Sequence, residues 1–252
     1  MTTTSEKLKL TELKKILADD SHGSSDILSG LINHLLKYSN DKKYVIKIIP
    51  IIKDRLSHFE VINKFIDETK KIIYKKDQDD LKIFLSKYKN ELQNLSSKIF
   101  HKYSKLLIKK KVILTISHSK TIINLLKEWV RVSSDIFVYV CESRPGMEGL
   151  ITAKELTTIN IKNKVITEAS AGKIISSIDL IILGADKIYP DGSILNKTGS
   201  RMLSILGKYH KVPVYVIANK DKRVFSDSNK LNLDLMNFEL VEKKLISRLL
   251  TD

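Results

Sequence analysis

The chain of 252 residues contains one cysteine, four prolines, nine glycines and one tryptophan. A lone cysteine, Cys141, excludes an internal disulfide framework and a cysteine-rich zinc site, and it fits a reducing compartment. No apolar run approaches the ~20 residues that cross a bilayer. The start, Met1-Thr-Thr-Thr-Ser-Glu-Lys7, has no apolar stretch of the kind a secretory leader carries. A cytoplasmic, soluble protein with no membrane partner is the expectation. The chain has neither a G-x-x-x-x-G-K-[ST] phosphate loop nor a G-x-G-x-x-G turn, so the usual nucleotide-hydrolase and dinucleotide readings lose their support. Its histidines do not fall at metal-ligand spacing. No cofactor and no metal are expected.

Hydrophobic residues make up 42% of the chain, enough for a substantial core. Lysine and arginine total 44 against 29 acidic residues, a net charge of +15. Such an excess can mark a nucleic-acid partner. Here the lysines are spread over the whole chain, with no zinc-finger spacing and no aromatic RNA-binding motif beside them. A lysine-rich composition explains the charge better than a nucleic-acid patch.

The sequence has two rhythms. Up to about residue 105 it reads as helical: Leu8, Leu10, Leu13, Ile16 and Leu17 recur at helical spacing. Gly23-Ser24-Ser25-Asp26 supplies a break and a cap, Pro50 marks a second break, and long amphipathic runs follow from Val61 to Ile73 and from Leu81 to Ile99. From Lys111 the pattern changes. Val112–Ile116, Ile136–Val140, Val165-Ile166, Leu180–Leu183 and Val214–Ile217 are short β-branched runs, as buried strands should be. Amphipathic segments separate them, at Thr121 to Val130, Ile151 to Ile159, Ala169 to Ile178 and Thr198 to Tyr209. Alternation of this kind predicts an α/β domain with a mainly parallel sheet and right-handed crossovers, residues 106–252, behind a helical domain, residues 1–105. The amphipathic end, Phe238 to Leu250, suits either covering the sheet edge or packing on a second subunit.

Ligands of open parallel sheets bind at the carboxyl ends of the strands. Three such ends carry polar groups. Leu180–Leu183 is followed by Gly184-Ala-Asp186, a Pro190-Asp-Gly192 turn, and Asn196-Lys197-Thr-Gly199, where a helix is expected to begin. A lysine beside a helix start favours an anion, most simply a phosphate. The second end, Val138 to Pro145, presents Glu142 and Arg144; the guanidinium fork suits phosphate, and a surface ion pair with Glu142 is the alternative. The third, Thr115-Ile-Ser117-His118-Ser119, places hydroxyls beside an imidazole. No G-x-S-x-G elbow accompanies Ser117, so the hydroxyls are read as helix caps or phosphate ligands, not as a hydrolase nucleophile. Cys141 reads as a small buried hydrophobe.

Cys141 to Pro145, Gly149 to Leu156, Val165 to Ala169, Leu183 to Ile188 and Asn196 to Gly199 together resemble one superfamily, in order, across residues 111 to 222. It contains the alpha, beta and delta regulatory subunits of translation initiation factor 2B, ribose-1,5-bisphosphate isomerase and methylthioribose-1-phosphate isomerase. The helical half matches more weakly, at Gly23-Ser24-Ser25 and Arg55-Leu-Ser-His-Phe59. The resemblance implies a Rossmann-like domain that also dimerises, and a phosphosugar pocket built from Arg55, Ser117, Arg144, Glu148, Asp186, Asn196 and Lys197, with Lys222 matching a further lysine. In the isomerases a cysteine and an aspartate move protons. Asp186 matches the aspartate, whereas the cysteine position is Ser117, and a hydroxyl is a far weaker acid than a thiol. An arginine is missing near Gly23, and Glu148 replaces a glutamine. These departures resemble the regulatory subunits. They point to ligand binding without turnover, the ligand being AMP or a sugar phosphate. Assembly into a homodimer or larger oligomer and contact with translation initiation factor 2 or related subunits would follow. An active sugar-phosphate isomerase using Asp186 is the alternative.

Overall fold

The computed structural model describes residues 4–19, 23–75, 78–225 and 237–252. Helical spacing of apolar residues gives α1 (Thr4–Leu17), α2 (Ser24–Lys37), α3 (Lys42–Arg55), α4 (Glu60–Lys75) and α5 (Gln78–Leu107). Two compact units, Met1–Asn94 and Leu95–Asp252, meet within α5, whereas the sequence places a boundary near residue 105. The apolar face of α5 explains the earlier division. Leu85 and Leu92 pack into the helical core, whereas Ser96 donates its hydroxyl to the Thr121 carbonyl and Phe100 lies against Trp129.

The first unit is held by buried Leu28, Leu31, Leu35, Ile48, Ile52, Ile62 and Phe65. Gly23 stands at the N-cap of α2, and Asp41 caps α3 by accepting the Tyr44 N–H at 3.0 Å. Pro50 lies inside α3 and does not break it. An interior proline costs about 3 kcal/mol. Burial of the flanking Ile48, Ile49 and Ile52 contributes about 1.5–3 kcal/mol each, so packing outweighs it.

The second unit alternates strands and helices: β1 (Val112–Ile116), α6 (Lys120–Val132), β2 (Phe137–Cys141), α7 (Glu148–Thr158), β3 (Lys162–Ile166), α8 (Ala171–Ile174) and β4 (Leu180–Leu183). Next come β5 (Lys187–Ile188), β6 (Ile194–Lys197), α9 (Ser200–His210), β7 (Val214–Ile217), β8 (Phe238–Val241) and β9 (Arg248–Leu250). Six strands form a sheet in the order β3-β2-β1-β4-β7-β9, with every pairing parallel. All four residues of β4 are buried, as a central strand covered on both faces requires. The expected α/β architecture is therefore present.

Two stretches differ from the sequence reading, and a third, the C-terminal segment, takes one of the two roles expected of it. Ala169 to Ile178 is a succession of single turns around α8, with no long amphipathic helix. Asn196 and Lys197 end a strand, and α9 starts only at Ser200, with Gly199 at its N-cap. Gly199 has φ of 98°, and a Cβ there would lie 2.5 Å from Ile116 Cδ1, so a helix cannot run back through it to Asn196. The C-terminal segment covers the sheet edge as strands: β9 extends the large sheet beside β7, and β8 completes a small antiparallel sheet in the order β5-β6-β8.

Candidate functional site

The strand order reverses between β1 and β4, the place where loops leaving the carboxyl ends diverge and open a crevice. Thr115 pins the two strands there by donating its hydroxyl to the Ile182 carbonyl at 2.9 Å. Ser117 is the first residue beyond β1. It is buried and has φ of 67°, a left-handed conformation that costs a non-glycine residue about 1–3 kcal/mol. Its carbonyl accepts the Thr152 hydroxyl of α7 at 2.8 Å. His118 is buried with Nε2 3.3 Å from Glu155 Oε1, and Lys120 Nζ reaches the other oxygen at 2.7 Å. Burial acts to raise the Glu155 carboxyl, but Lys120 and His118 outweigh it and hold that group below its ordinary value. Ser119 accepts the Ile122 N–H at 3.5 Å and caps α6, as expected of these hydroxyls.

Beyond β4 the chain is fixed from two sides. Buried Lys222 donates to the Ala185 carbonyl at 2.7 Å, and the Asp186 N–H donates to the Leu195 carbonyl at 2.8 Å. Asp186 is half-buried, three residues beyond the end of β4. Asn196 is buried and its Nδ2 donates to Ser200 Oγ at 2.8 Å, tying β6 to α9. A Cβ on Gly184 would lie 3.5 Å from Ser119 Oγ and 3.7 Å from Asn196 Oδ1, so the ends of β1, β4 and β6 converge there.

The loop after β2 is held by Glu168, whose Oε1 accepts the N–H groups of Ser143 at 2.6 Å and Arg144 at 3.1 Å. The Arg144–Pro145 bond is cis. The Arg144 side chain is 66% exposed, and its Nε lies 3.4 Å from Glu142 Oε1. An ion pair so exposed contributes only about 0–1 kcal/mol, which an incoming anion easily exceeds. A Cβ on Gly149 would overlap the Cys141 carbonyl oxygen, so only glycine lets α7 start this close to the end of β2. Burial, with Glu168 and Glu142 adding to it, pushes the Cys141 thiol up to about 12, which leaves it unreactive.

Arg144, Glu148, Lys197 and Thr198 line one shallow cleft, with Ser143, Pro145, Gly146 and Asn237. Lys197 Nζ lies 2.7 Å from Glu148 Oε1 and 4.9 Å from the centroid of the Phe238 ring. Ser117, Arg144, Glu148, Asp186, Asn196 and Lys197 thus all stand at the carboxyl edge of the sheet. Arg55 belongs to the first unit, exposed at the last position of α3. Sequence reasoning gave no role to Glu168 or Thr152. Glu168 follows the end of β3, and that position on a parallel strand was its available signal. Among the described residues no His, Cys, Asp and Glu cluster is arranged to hold a metal ion.

A sequence profile described as the Initiation factor 2 subunit family matches residues 13–245. The chain is 36% identical over 162 residues to a methylthioribose-1-phosphate isomerase of a Sulfurihydrogenibium species, covering 59% of this chain and 48% of that protein. It is 35% identical over 111 residues to the ribose 1,5-bisphosphate isomerase of Pyrococcus furiosus, covering 44% and 34%. The matches thus span less than half the length of these curated relatives. The translation initiation factor eIF-2B structure from Pyrococcus horikoshii superposes with a TM-score of 0.85 at 20% identity, covering 97% of this chain and 95% of that one. The 5-methylthioribose 1-phosphate isomerase of the same organism gives 0.77 at 17%, covering 96% and 82%. These two likenesses concern the fold. None of the described helices is long and apolar enough to cross a membrane. The match over residues 13–245 shows that this chain belongs to the Initiation factor 2 subunit family.

Proposed function

We propose that the crevice at the carboxyl edge of the sheet binds a sugar phosphate and interconverts its aldose and ketose forms, with Asp186 moving the proton. The observation that carries this reading is the placement of Asp186. It is a carboxylate at the point of strand-order reversal, locked by Lys222 on one side and Leu195 on the other, and the same sheet edge carries a cleft with Arg144 and Lys197. Curated relatives named as sugar-phosphate isomerases, at 35–47% identity, support it over the regulatory reading drawn from the sequence.

Aldose–ketose exchange moves the C2 hydrogen to C1 and the C2 hydroxyl proton to another oxygen, with no net oxidation; that oxygen is the carbonyl oxygen of a free aldose or, where C1 carries the phosphate, the ring oxygen released as its bond to C1 breaks. One fixed carboxylate can take the carbon-bound proton as a base and return it as an acid. Arg144 would hold the phosphate through its guanidinium fork, and Asn196 would contact a sugar hydroxyl. At Ser117, where the resemblance places a thiol, the hydroxyl would donate a hydrogen bond to a sugar oxygen. Its high pKa keeps it from shuttling protons. Calorimetric titration of sugar phosphates into wild type and into Arg144→Ala tests the binding half of this reading. Affinity should fall about tenfold or more in the variant.

A second reading has a specific observation behind it. Ser117 carries no thiol, and buried Glu148 already satisfies Lys197. On that reading the pocket binds AMP or a sugar phosphate without turnover. The chain then works through assembly, with copies of itself or with translation initiation factor 2 and its relatives.

A further inference from the structure

The ion pair inside the cleft says more about the ligand than the cleft's basic residues do. Glu148 is only 5% exposed, and its carboxylate sits 2.7 Å from the ammonium of Lys197, whose side chain is 18% exposed. The two residues come from opposite walls, α7 and the end of β6. A carboxylate therefore occupies the place beside Lys197 that a phosphate oxygen would take. Removing it from the ammonium would leave a buried charge unpaired, which is strongly unfavourable. At the Arg144 wall the situation is opposite. That guanidinium is mostly exposed and only loosely held by Glu142.

Resting on the sugar-phosphate reading, we propose that this site takes a sugar carrying a single phosphate, and that Glu148 is the residue that rejects a second one. The phosphate goes to Arg144. Deeper in the same cleft, where both side chains are far less exposed than Arg144, the Lys197–Glu148 pair offers a donor beside an acceptor, which matches neutral hydroxyl groups. A second phosphate there would face the Glu148 carboxylate at contact distance, a like-charge juxtaposition that discriminates against bisphosphates.

The matched pair of ribose 1-phosphate and ribose 1,5-bisphosphate tests this by calorimetry on the full chain at fixed ionic strength. Wild type should bind the monophosphate about tenfold or more tightly than the bisphosphate. Glu148→Gln keeps the shape and removes the charge, so it should raise bisphosphate affinity about tenfold relative to monophosphate. A wild type that binds the bisphosphate as well as or better than the monophosphate overturns the proposal. An unchanged ratio in a folded Glu148→Gln does so too. The wild-type preference is decisive even if the variant fails to fold. If neither protein binds either sugar, the sugar-phosphate reading itself falls, an outcome separate from a reversed preference.

Discussion

Glu168 Oε1 accepts the backbone N–H of Ser143 at 2.6 Å, across 25 residues of sequence, and the Arg144 N–H donates to the same oxygen at 3.1 Å. One carboxylate thus fixes the loop from which the Arg144 guanidinium projects. Hydrogen bonds to charged groups contribute about 1.5–3 kcal/mol. Glu168→Ala should therefore lower stability to urea by about 2 kcal/mol, and it should weaken sugar-phosphate binding about tenfold by releasing Arg144. Lost stability with unchanged affinity would show that Arg144 does not touch the ligand.

Gly149→Ala should be among the most damaging single-methyl additions in the second unit. The new Cβ would overlap the Cys141 carbonyl oxygen, and backbone cannot move aside as a side chain can. A loss of about 3 kcal/mol is expected from overpacking of this kind. Gly172→Ala is the control: nothing lies within 4 Å of its Cβ position, so stability should hold or rise by up to about 1 kcal/mol. Equal effects at the two positions in urea titrations would refute the close approach.

Asp179 accepts the N–H groups of Lys111 at 2.9 Å and Val112 at 3.0 Å. The Val112 N–H holds its carboxyl below the ordinary value against the opposing effect of burial, helped by the Lys111 N–H. The folded state thus releases this proton more readily than the unfolded chain does. The stabilisation is complete above about pH 4 and is lost as pH falls through the lowered value. Asp179→Asn should be about 1 kcal/mol less stable than wild type at pH 7, with the gap closing towards pH 3. A gap independent of pH would contradict the assignment.

For Cys141 the shift has the opposite sign. Its folded value of about 12 lies above that of an exposed thiol, so the stabilisation is present below about pH 8.5 and is lost as pH rises towards 12. At pH 8 the native thiol should alkylate more than about a hundredfold more slowly than in urea. Comparable rates would mean that the end of β2 opens to solvent.

How much of this was legible beforehand differs from residue to residue. Asp186 was visible because Leu180–Leu183 is an unbroken apolar run and the acid comes three residues after it. Ser117 and Arg144 were found by the same rule. Glu168 obeys that rule too, but nothing local shows that its partners are the backbone groups of Ser143 and Arg144. The Glu148–Lys197 pair spans 49 positions and exists only once α7 and β6 face each other. The β5–β6 hairpin was hidden because β5 has two residues, too few to display a period. Pro50 misled for a different reason: its intrinsic cost is local, whereas the burial that overrides it comes from the rest of the helical core.

The most direct test of the account follows methylthioribose 1-phosphate by NMR in the presence of the purified chain, beside Asp186→Asn. The account predicts conversion to the ketose phosphate by wild type and a loss of about a hundredfold or more in the variant, which keeps its affinity for the sugar. Tight binding by wild type with no conversion, unchanged by Asp186→Asn, would contradict it and leave the pocket as a regulatory ligand site.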